Sequence, residues 1–221
     1  MFVQPPKLVI FDWDGTLMDS VGQIVESLLA AAAQYEIDLT ADAAANIIGL
    51  GLPEAMAVLF PQHPHLHSEI QAAYAAHYVP RSQQTRLFEG VEALLQQLQQ
   101  QDVILAVATG KSRAGLDRVL ADSGIADYFS VTRCASETRS KPHPQMLQEI
   151  LAVTGVAAAD AVMVGDTSYD LEMAQRIAMP RIGVSYGVHP AELLWQYQPV
   201  VLVADVPALG AQLLPLQHHA I

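Results

Sequence analysis

Residues 7–17 read KLVIFDWDGTL, an apolar run followed at once by two carboxylates. The run favours a buried strand, because side chains on both of its faces are apolar. Asp12 and Asp14 stand two positions apart, so on an extended chain they share one face at the carboxyl end of the strand. Ligands and catalytic groups of open α/β sheets gather at such ends. This stretch therefore predicts a parallel sheet and the position of a site.

The rest of the chain alternates short β-rich runs with stretches of helical spacing. Fully apolar strands separated by helices are typical of a parallel sheet that helices cover on both faces. We therefore predict an α/β fold, a doubly wound parallel sheet with a Rossmann-like core. The further predicted strands are residues 102–108, 129–134, 161–164, 181–184 and 200–204, and the predicted helices are residues 91–101, 112–123, 144–154 and 168–178.

One connection is far longer than a crossover requires. About ninety residues with helical patterns separate the first two strands, whereas a crossover needs only about a dozen. We expect an inserted helical cap over residues 19–81, set on a core of residues 1–18 and 82–221. The predicted cap helices begin at Ser20, whose spacing to Gln23 fits a capping box, at Thr40, near Pro53 and near Ser68.

Composition excludes several classes of function. The 221 residues include 11 Lys and Arg against 23 Asp and Glu, for a formal net charge of −12. This balance argues against nucleic-acid binding, which needs clustered cations, whereas a small phosphorylated metabolite needs only a metal or a few local cations. A single cysteine excludes an internal disulfide, and no apolar stretch approaches the roughly 20 residues of a membrane span. We expect a cytoplasmic monomer or homodimer with no membrane or nucleic-acid partner.

A second acidic pair follows the strand predicted over residues 161–164. Asp166 falls at the end of that strand, and Asp170 lies four positions further on. Thr167 has the position of a helix cap, with Asp170 in the first turn, where negative charge is favourable. Capping alone would therefore account for these residues.

The four carboxylates together indicate more than a cap. Asp12, Asp14, Asp166 and Asp170 would converge at one edge of one sheet, where unpaired carboxylates repel one another. A hard divalent cation removes this repulsion, and magnesium favours oxygen ligands. The pattern therefore predicts a magnesium site.

Two loops supply hydrogen-bond donors and positive charge. Thr109 and Gly110 lie where a predicted strand runs into a helix, and a helix N-terminus beside a hydroxyl suits a phosphate group. Lys141 precedes Pro142 in the loop before the helix at residues 144–154, where it can reach a phosphate as a point charge. Single residues of these types are usually only solvated, but their order along the chain favours a role at the same edge.

These motifs, in this order, resemble those of the haloacid dehalogenase-like hydrolase superfamily. The match extends over about residues 7–187, and the helical insertion resembles the superfamily's C1-type cap. The string DGTLMDS at residues 14–20 is similar to the opening of the phosphoglycolate-phosphatase branch. The resemblance implies a magnesium-dependent phosphatase that hydrolyses a small phosphate monoester through an aspartyl-phosphate. The matching residues are Asp12-x-Asp14-Gly15-Thr16, Thr109, Lys141-Pro142 and Gly165-Asp166-x-x-x-Asp170.

The resemblance also implies catalytic roles. Asp12 would be the nucleophile, and Asp14 would act first as general acid and then as general base. Thr109 and the Gly110 N–H would bind the transferring phosphoryl oxygens, and Lys141 would neutralise those oxygens and Asp12.

Metal binding is implied in the same way. Mg²⁺ would be bound by Asp12, by the backbone carbonyl of Asp14 and by Asp166, with Asp170 ordering its water shell. Asp14 also separates the chain from the dehalogenase branch, which lacks a second aspartate used in this way.

Three features depart from the family motifs or lie outside them. Gly110 stands where many relatives have asparagine, which puts the contacts of this motif in question. Trp13 is expected to pack locally. The loop at residues 49–54 contains two glycines that allow close approach to the catalytic face, and it is either a substrate-selecting loop or a plain helix–helix turn.

The motifs leave other activities open. A sugar phosphomutase would share the aspartyl-phosphate, and a pyrophosphatase would differ only in substrate. A non-catalytic phospho-acceptor module, similar to signalling receiver domains, also combines an acceptor aspartate with acidic residues, a threonine and a lysine. The long insertion and Asp14 argue against such a module, and the phosphate ester itself does not follow from the fold.

Overall fold

The computed structural model describes residues 5–214, so residues 1–4 and 215–221 of the predicted core lie outside the described part. Within that part, the main sheet consists of parallel strands at nearly the predicted positions. They are β1 (Leu8–Phe11), β4 (Ile104–Thr109), β5 (Val131–Cys134), β6 (Ala161–Gly165), β7 (Arg181–Val184) and β8 (Val201–Val203). Their order in the sheet is β5-β4-β1-β6-β7-β8. The predicted α/β parallel sheet is confirmed.

Helices pack on both faces of this sheet. Val9 and Phe11 of β1 face one buried cluster, which also contains Trp13, and Leu8 and Ile10 face another. All four strand side chains are fully buried, which is why β1 is apolar throughout. The first cluster includes residues of α5 (Val91–Gln99), α6 (Arg113–Ser123) and α10 (Val206–Leu213). The second includes residues of α7 (Gln145–Thr154) and α8 (Ser168–Gln175). A further short helix, α9, is Ala191–Trp195.

The insertion after β1 is helical, as predicted. It has a hydrophobic cluster of its own, which includes Leu28, Met56 and Ile70. Two short antiparallel strands, β2 (Met18–Asp19) and β3 (Arg86–Leu87), join it to the rest of the chain. A separate hydrophobic cluster is consistent with a cap over residues 19–81, whose limits stay a prediction. The helices of the insertion are α1 (Val21–Ala33), α2 (Ala41–Asn46), α3 (Leu52–Leu59) and α4 (His67–Tyr78).

One predicted helix cap is wrong. The Ser20 side chain makes no capping hydrogen bond to α1, and it donates instead to Oδ1 of Asp14 at 2.6 Å. In a cap the hydroxyl would accept from a backbone N–H of the first turn, whereas here it is turned to donate to a carboxylate oxygen, which is a strong acceptor. Thr40, in contrast, accepts from the Ala43 N–H at 3.2 Å and caps α2 as predicted.

No helix within residues 5–214 combines the length and the apolar character that crossing a membrane requires.

Candidate active site

Three buried carboxylates meet where β1 and β6 end. Asp12 follows β1, Asp166 follows β6, and Asp170 lies in the first turn of α8. One carboxylate oxygen from each lies within 4.8 Å of one oxygen from each of the others. The meeting is a consequence of sheet order, because β1 and β6 are parallel neighbours with Phe11 beside Val164.

Asp14 departs from the predicted convergence of four carboxylates. Its side chain is not part of the cluster of three; it accepts from Ser20 and pairs with Lys111, whose Nζ lies 2.9 Å from its Oδ1. Gly15, at φ +79°, reverses the chain directly after Asp14. These two partners hold the carboxylate beside a cavity rather than beside the other three aspartates.

Lys141 is the cation of the cluster. Its Nζ donates to Oδ1 of Asp12 at 2.6 Å and to Oδ1 of Asp170 at 2.7 Å, and its side chain is fully buried. Burial alone would lower the pKa of Lys141, but the two carboxylates outweigh this effect and hold the pKa above its ordinary value. Lys141 therefore stays charged.

One lysine does not balance three carboxylates. Burial raises the pKa of Asp12; Lys141 opposes this rise, while Asp170 and Asp166 add to it. Burial and the charge of Asp170 also raise the pKa of Asp166 to about 7. In addition, Oδ2 of Asp12 is buried without a hydrogen-bond partner among residues 5–214. Excess buried negative charge and an unpartnered carboxylate oxygen are what a divalent cation would satisfy, so these residues fit such an ion.

Asp166 and Asp170 are held rigidly by their neighbours. Asp166 accepts from the Thr16 hydroxyl at 2.8 Å and from the Val188 N–H at 2.9 Å. Oδ2 of Asp170 accepts from the backbone N–H and from the hydroxyl of Thr167, which completes the capping box of α8. The capping interpretation is therefore correct, and the same side chain still binds Lys141 through its other oxygen.

The motif at the end of β4 lies directly beneath the insertion. Thr109 is fully buried, and Gly110 follows it. A Cβ on Gly110 would collide with the backbone carbonyls of Gly49 and Leu50. Glycine is therefore required here by the approach of the 49–54 loop, which explains the departure from asparagine. The same loop donates a hydrogen bond from Gly51 N to Oγ of Ser140 at 2.7 Å, so it contacts the catalytic face and is more than a plain turn.

A cavity of about 260 Å³ lies between the helical insertion and the start of α6. Asp14, Gly110 and Lys111 border it on the side of the sheet. Helices α1 and α4 and the segment leading into α3 supply most of the remaining wall. A ligand in this cavity would therefore contact Asp14 directly.

The sequence motifs do not assign a contact with Asp14 or Asp166 to Thr16, Ser20 or Lys111. Thr16 belongs to the first motif without a role of its own, and the only signal for Lys111 is that it follows Thr109 and Gly110. Ser20 was assigned to a helix cap because hydroxyl spacing alone does not distinguish a cap from a partner of Asp14.

The fold and the site together are those of a class of hydrolases in which buried aspartates lie at the edge of a parallel sheet in an α/β fold. A model described as haloacid dehalogenase-like hydrolase matches residues 9–184, and the chain belongs to that family.

Similar proteins carry phosphatase names. Over 204 residues the chain is 33% identical to "Probable phosphatase IndB" of Dickeya dadantii, covering 89% of this chain and 88% of that protein. It is 29% identical over 214 residues to a phosphoglycolate phosphatase of Yersinia pseudotuberculosis, with coverage of 91% and 92%. A solved structure of a predicted phosphatase from Clostridium acetobutylicum shares the fold, with a TM-score of 0.84 at 24% identity over 95% of this chain and 98% of that one. The chain is a phosphatase, a phosphoric monoester hydrolase, of this family.

Proposed function

We propose that the protein is a magnesium-dependent phosphatase that hydrolyses a small phosphate monoester through an aspartyl-phosphate on Asp12, in the manner of a phosphoglycolate phosphatase. The observation that carries the proposal is Asp12 itself. One of its oxygens is bound by buried Lys141, and the other is buried without a partner within residues 5–214, beside two more carboxylates.

Asp12 must be ionised to attack phosphorus. Lys141 favours the ionised form through its hydrogen bond and charge, while burial and the two neighbouring carboxylates oppose it. The proposed magnesium ligands are Asp12, the backbone carbonyl of Asp14 and Asp166, with Asp170 beyond them. When bound, Mg²⁺ would neutralise this excess negative charge and that of the phosphoryl group.

We assign the proton transfers to Asp14. It stands apart from the cluster, at the cavity where the leaving group would lie, and Ser20 and Lys111 fix its carboxylate. In the first step, the Asp12 oxygen bonds to phosphorus as the ester bond breaks, and Asp14 protonates the departing oxygen. In the second step, Asp14 takes a proton from the water that cleaves the aspartyl-phosphate and frees phosphate.

Donors for the phosphoryl oxygens surround Asp12. Thr109 and the Gly110 N–H lie at the end of β4, next to β1 in the sheet, and Lys141 already contacts Asp12. Phosphoryl transfer depends mainly on such positioning and neutralisation of charge. We assign these three residues to phosphoryl binding.

The helical insertion is proposed to be a cap that closes over the substrate. Gly51 bonds to Ser140, and the Tyr169 hydroxyl donates to the Asn46 carbonyl at 2.8 Å, so the insertion is docked on the core in this structure. A covered cavity favours a small metabolite over a phosphorylated macromolecule and excludes water during transfer.

The test is phosphate release from a panel of small esters, with Mg²⁺ and with EDTA. The panel contains 2-phosphoglycolate, hexose and pentose phosphates, nucleoside monophosphates and pyrophosphate. We expect metal-dependent turnover that Asp12→Asn abolishes without unfolding the protein. The control is Asp160→Asn, which removes an exposed carboxylate that pairs with Lys7. Full activity in Asp12→Asn would overturn the proposal, and an isomerised sugar phosphate without free phosphate would replace it with a mutase.

A further inference from the structure

The cavity beside Asp14 has a wall that is mostly apolar. Aliphatic side chains from α1 and from the segment that joins α2 to α3 form much of it, and two tyrosines of α4 complete the side of the insertion. The charged residues on the wall are Asp14, Lys111 and Arg118. A leaving group that fills this space therefore has an apolar body.

Two of the three charges neutralise each other. Nζ of Lys111 pairs with Asp14 and donates to the Tyr78 hydroxyl at 3.2 Å. It also lies 5.2 Å from the centroid of the Tyr78 ring. These three side chains are partners of one another, so neither Asp14 nor Lys111 offers an unpaired charge to a ligand.

Arg118 of α6 is the charge that remains. Its Nε is buried and has no hydrogen-bond partner in the part of the chain that the structure describes, where its guanidinium also forms no ion pair. The side chain as a whole is partly exposed, but a buried N–H is normally paired, so the missing partner of Nε at the wall of a cavity indicates where a ligand would supply one. The wall therefore has a net positive charge, although the whole chain has a formal net charge of −12.

Tyr74 lines the same cavity as Arg118. Its hydroxyl forms no hydrogen bond within residues 5–214, and its ring stacks on Tyr78 with centroids 5.4 Å apart. Burial raises the pKa of Tyr74, and the charges of Lys111 and Arg118 oppose that rise. The Tyr74 hydroxyl is thus a second donor on the wall that Arg118 lines.

One guanidinium with a neighbouring hydroxyl suits one carboxylate, because the planar fork of arginine matches two carboxylate oxygens. The size of the cavity adds a second constraint. Its volume of about 260 Å³ gives room for a leaving group larger than glycolate, a two-carbon acid.

We propose, on the basis of the proposed phosphatase function, that the substrate is a phosphate monoester of an alcohol larger than glycolate. This alcohol has an apolar body and a terminal carboxylate, which Arg118 and the Tyr74 hydroxyl bind. Arg118 is then the residue that selects acidic esters over neutral ones.

The test compares three series of esters of increasing chain length. These are ω-phosphooxy carboxylates beginning with 2-phosphoglycolate, the matching neutral alkyl phosphates, and the matching bisphosphates. The enzymes are the wild type, Arg118→Gln, and the control Arg113→Gln on the same helix, where Arg113 pairs with Glu137 and Asp117.

We expect the wild type to prefer the longer carboxylates over neutral esters by about tenfold or more in kcat/KM, the effect of a charge-assisted contact. Arg118→Gln is expected to remove this preference by lowering kcat/KM for the carboxylates much more than for the neutral esters, and Arg113→Gln is expected to preserve it. The proposal would be overturned if Arg118→Gln lost kcat/KM equally for carboxylates and neutral esters, or lost it for neither. It would also be overturned if the wild type preferred bisphosphates or 2-phosphoglycolate. Release of phosphate from no ester would overturn the proposed function, and this proposal with it.

Product inhibition gives a measurement that does not depend on the folding of a variant. Free ω-hydroxycarboxylates are expected to inhibit the wild type more strongly than the matching diols do. Equal inhibition by acids and diols would contradict a carboxylate site, even if phosphate release from simple esters were normal.

Discussion

Ser20 shows how one hydroxyl connects the insertion to the chemistry. It lies at the start of the first helix of the insertion, yet it donates to Asp14 at 2.6 Å instead of capping that helix. Its contribution is therefore expected in catalysis, through the orientation of Asp14, more than in the stability of α1.

Two alanine substitutions separate these roles. Ser20→Ala is expected to lower kcat/KM by roughly tenfold, since a hydrogen bond to a charged group contributes about 1.5–3 kcal/mol. Thr40→Ala removes a true cap of α2 and is expected to lower the free energy of unfolding by about 1 kcal/mol with unchanged kcat/KM. Kinetics and urea unfolding of both variants provide the check. Normal turnover in Ser20→Ala would show that Asp14 does not depend on this contact.

Among the elements, the loop of residues 49–54 is the one that most directly covers the site. Its backbone carbonyls at Gly49 and Leu50 lie so close to Gly110 that no side chain fits there. The motif at the end of β4, to which we assign phosphoryl binding, and the loop of the insertion thus share one tight contact.

Gly110→Ala tests this contact. The added methyl group would displace the loop, so we expect kcat/KM to fall by about tenfold or more while the fold persists, as small misplacements of catalytic parts are costly. The control is Gly22→Ala in α1, where a Cβ meets nothing within 4 Å. It is expected to leave kinetics unchanged and to add about 0.5–1 kcal/mol of stability. Wild-type kinetics in Gly110→Ala would mean that loop position does not matter for turnover.

Most elements could be predicted from the sequence because their patterns are local. The strands end within about two residues of their predicted limits, since each is an apolar run bounded by polar residues. The helix predicted over residues 168–178 ends earlier, at Gln175, and Ala178 adopts φ +54°. Alanine gives no sequence signal for a left-handed turn, so this end could not be predicted.

The site was predictable where it follows from strand ends. Asp12 and Asp166 meet because neighbouring parallel strands end together, and Lys141 joins them as the family motif implies. The pair of Lys111 with Asp14 depends on how the chain turns after Gly15, and no local pattern specifies that turn.

For the whole molecule, we expect the unbalanced carboxylates to couple the free energy of unfolding to pH and to metal binding. Burial and Asp170 raise the pKa of Asp166 from 3.8 to about 7, so between these values the metal-free folded state binds more protons than the unfolded chain. Linkage then makes the free energy of unfolding fall as pH rises through this window. Mg²⁺ would replace those protons and stabilise the protein more at higher pH.

Thermal unfolding with Mg²⁺ and with EDTA, at about pH 5.5 and about pH 8, checks this expectation. The rise in Tm that Mg²⁺ causes should be larger at the higher pH. Asp166→Asn, which keeps the size of the side chain, should lose most of that rise. An equal Mg²⁺ effect at both values of pH would contradict the coupling.

The paired strands β2 and β3 have a consequence for when Asp14 is oriented as a proton donor. The chain enters the insertion through β2 and leaves it through β3, so the two connections lie side by side and could act as one hinge. Asp14 precedes β2 and Ser20 follows it, so a rotation of the insertion about these strands would separate the Ser20 hydroxyl from the Asp14 carboxylate. In an open protein Asp14 would then lack the contact that orients it as a proton donor. It would regain that contact only when the insertion closes over the phosphate ester.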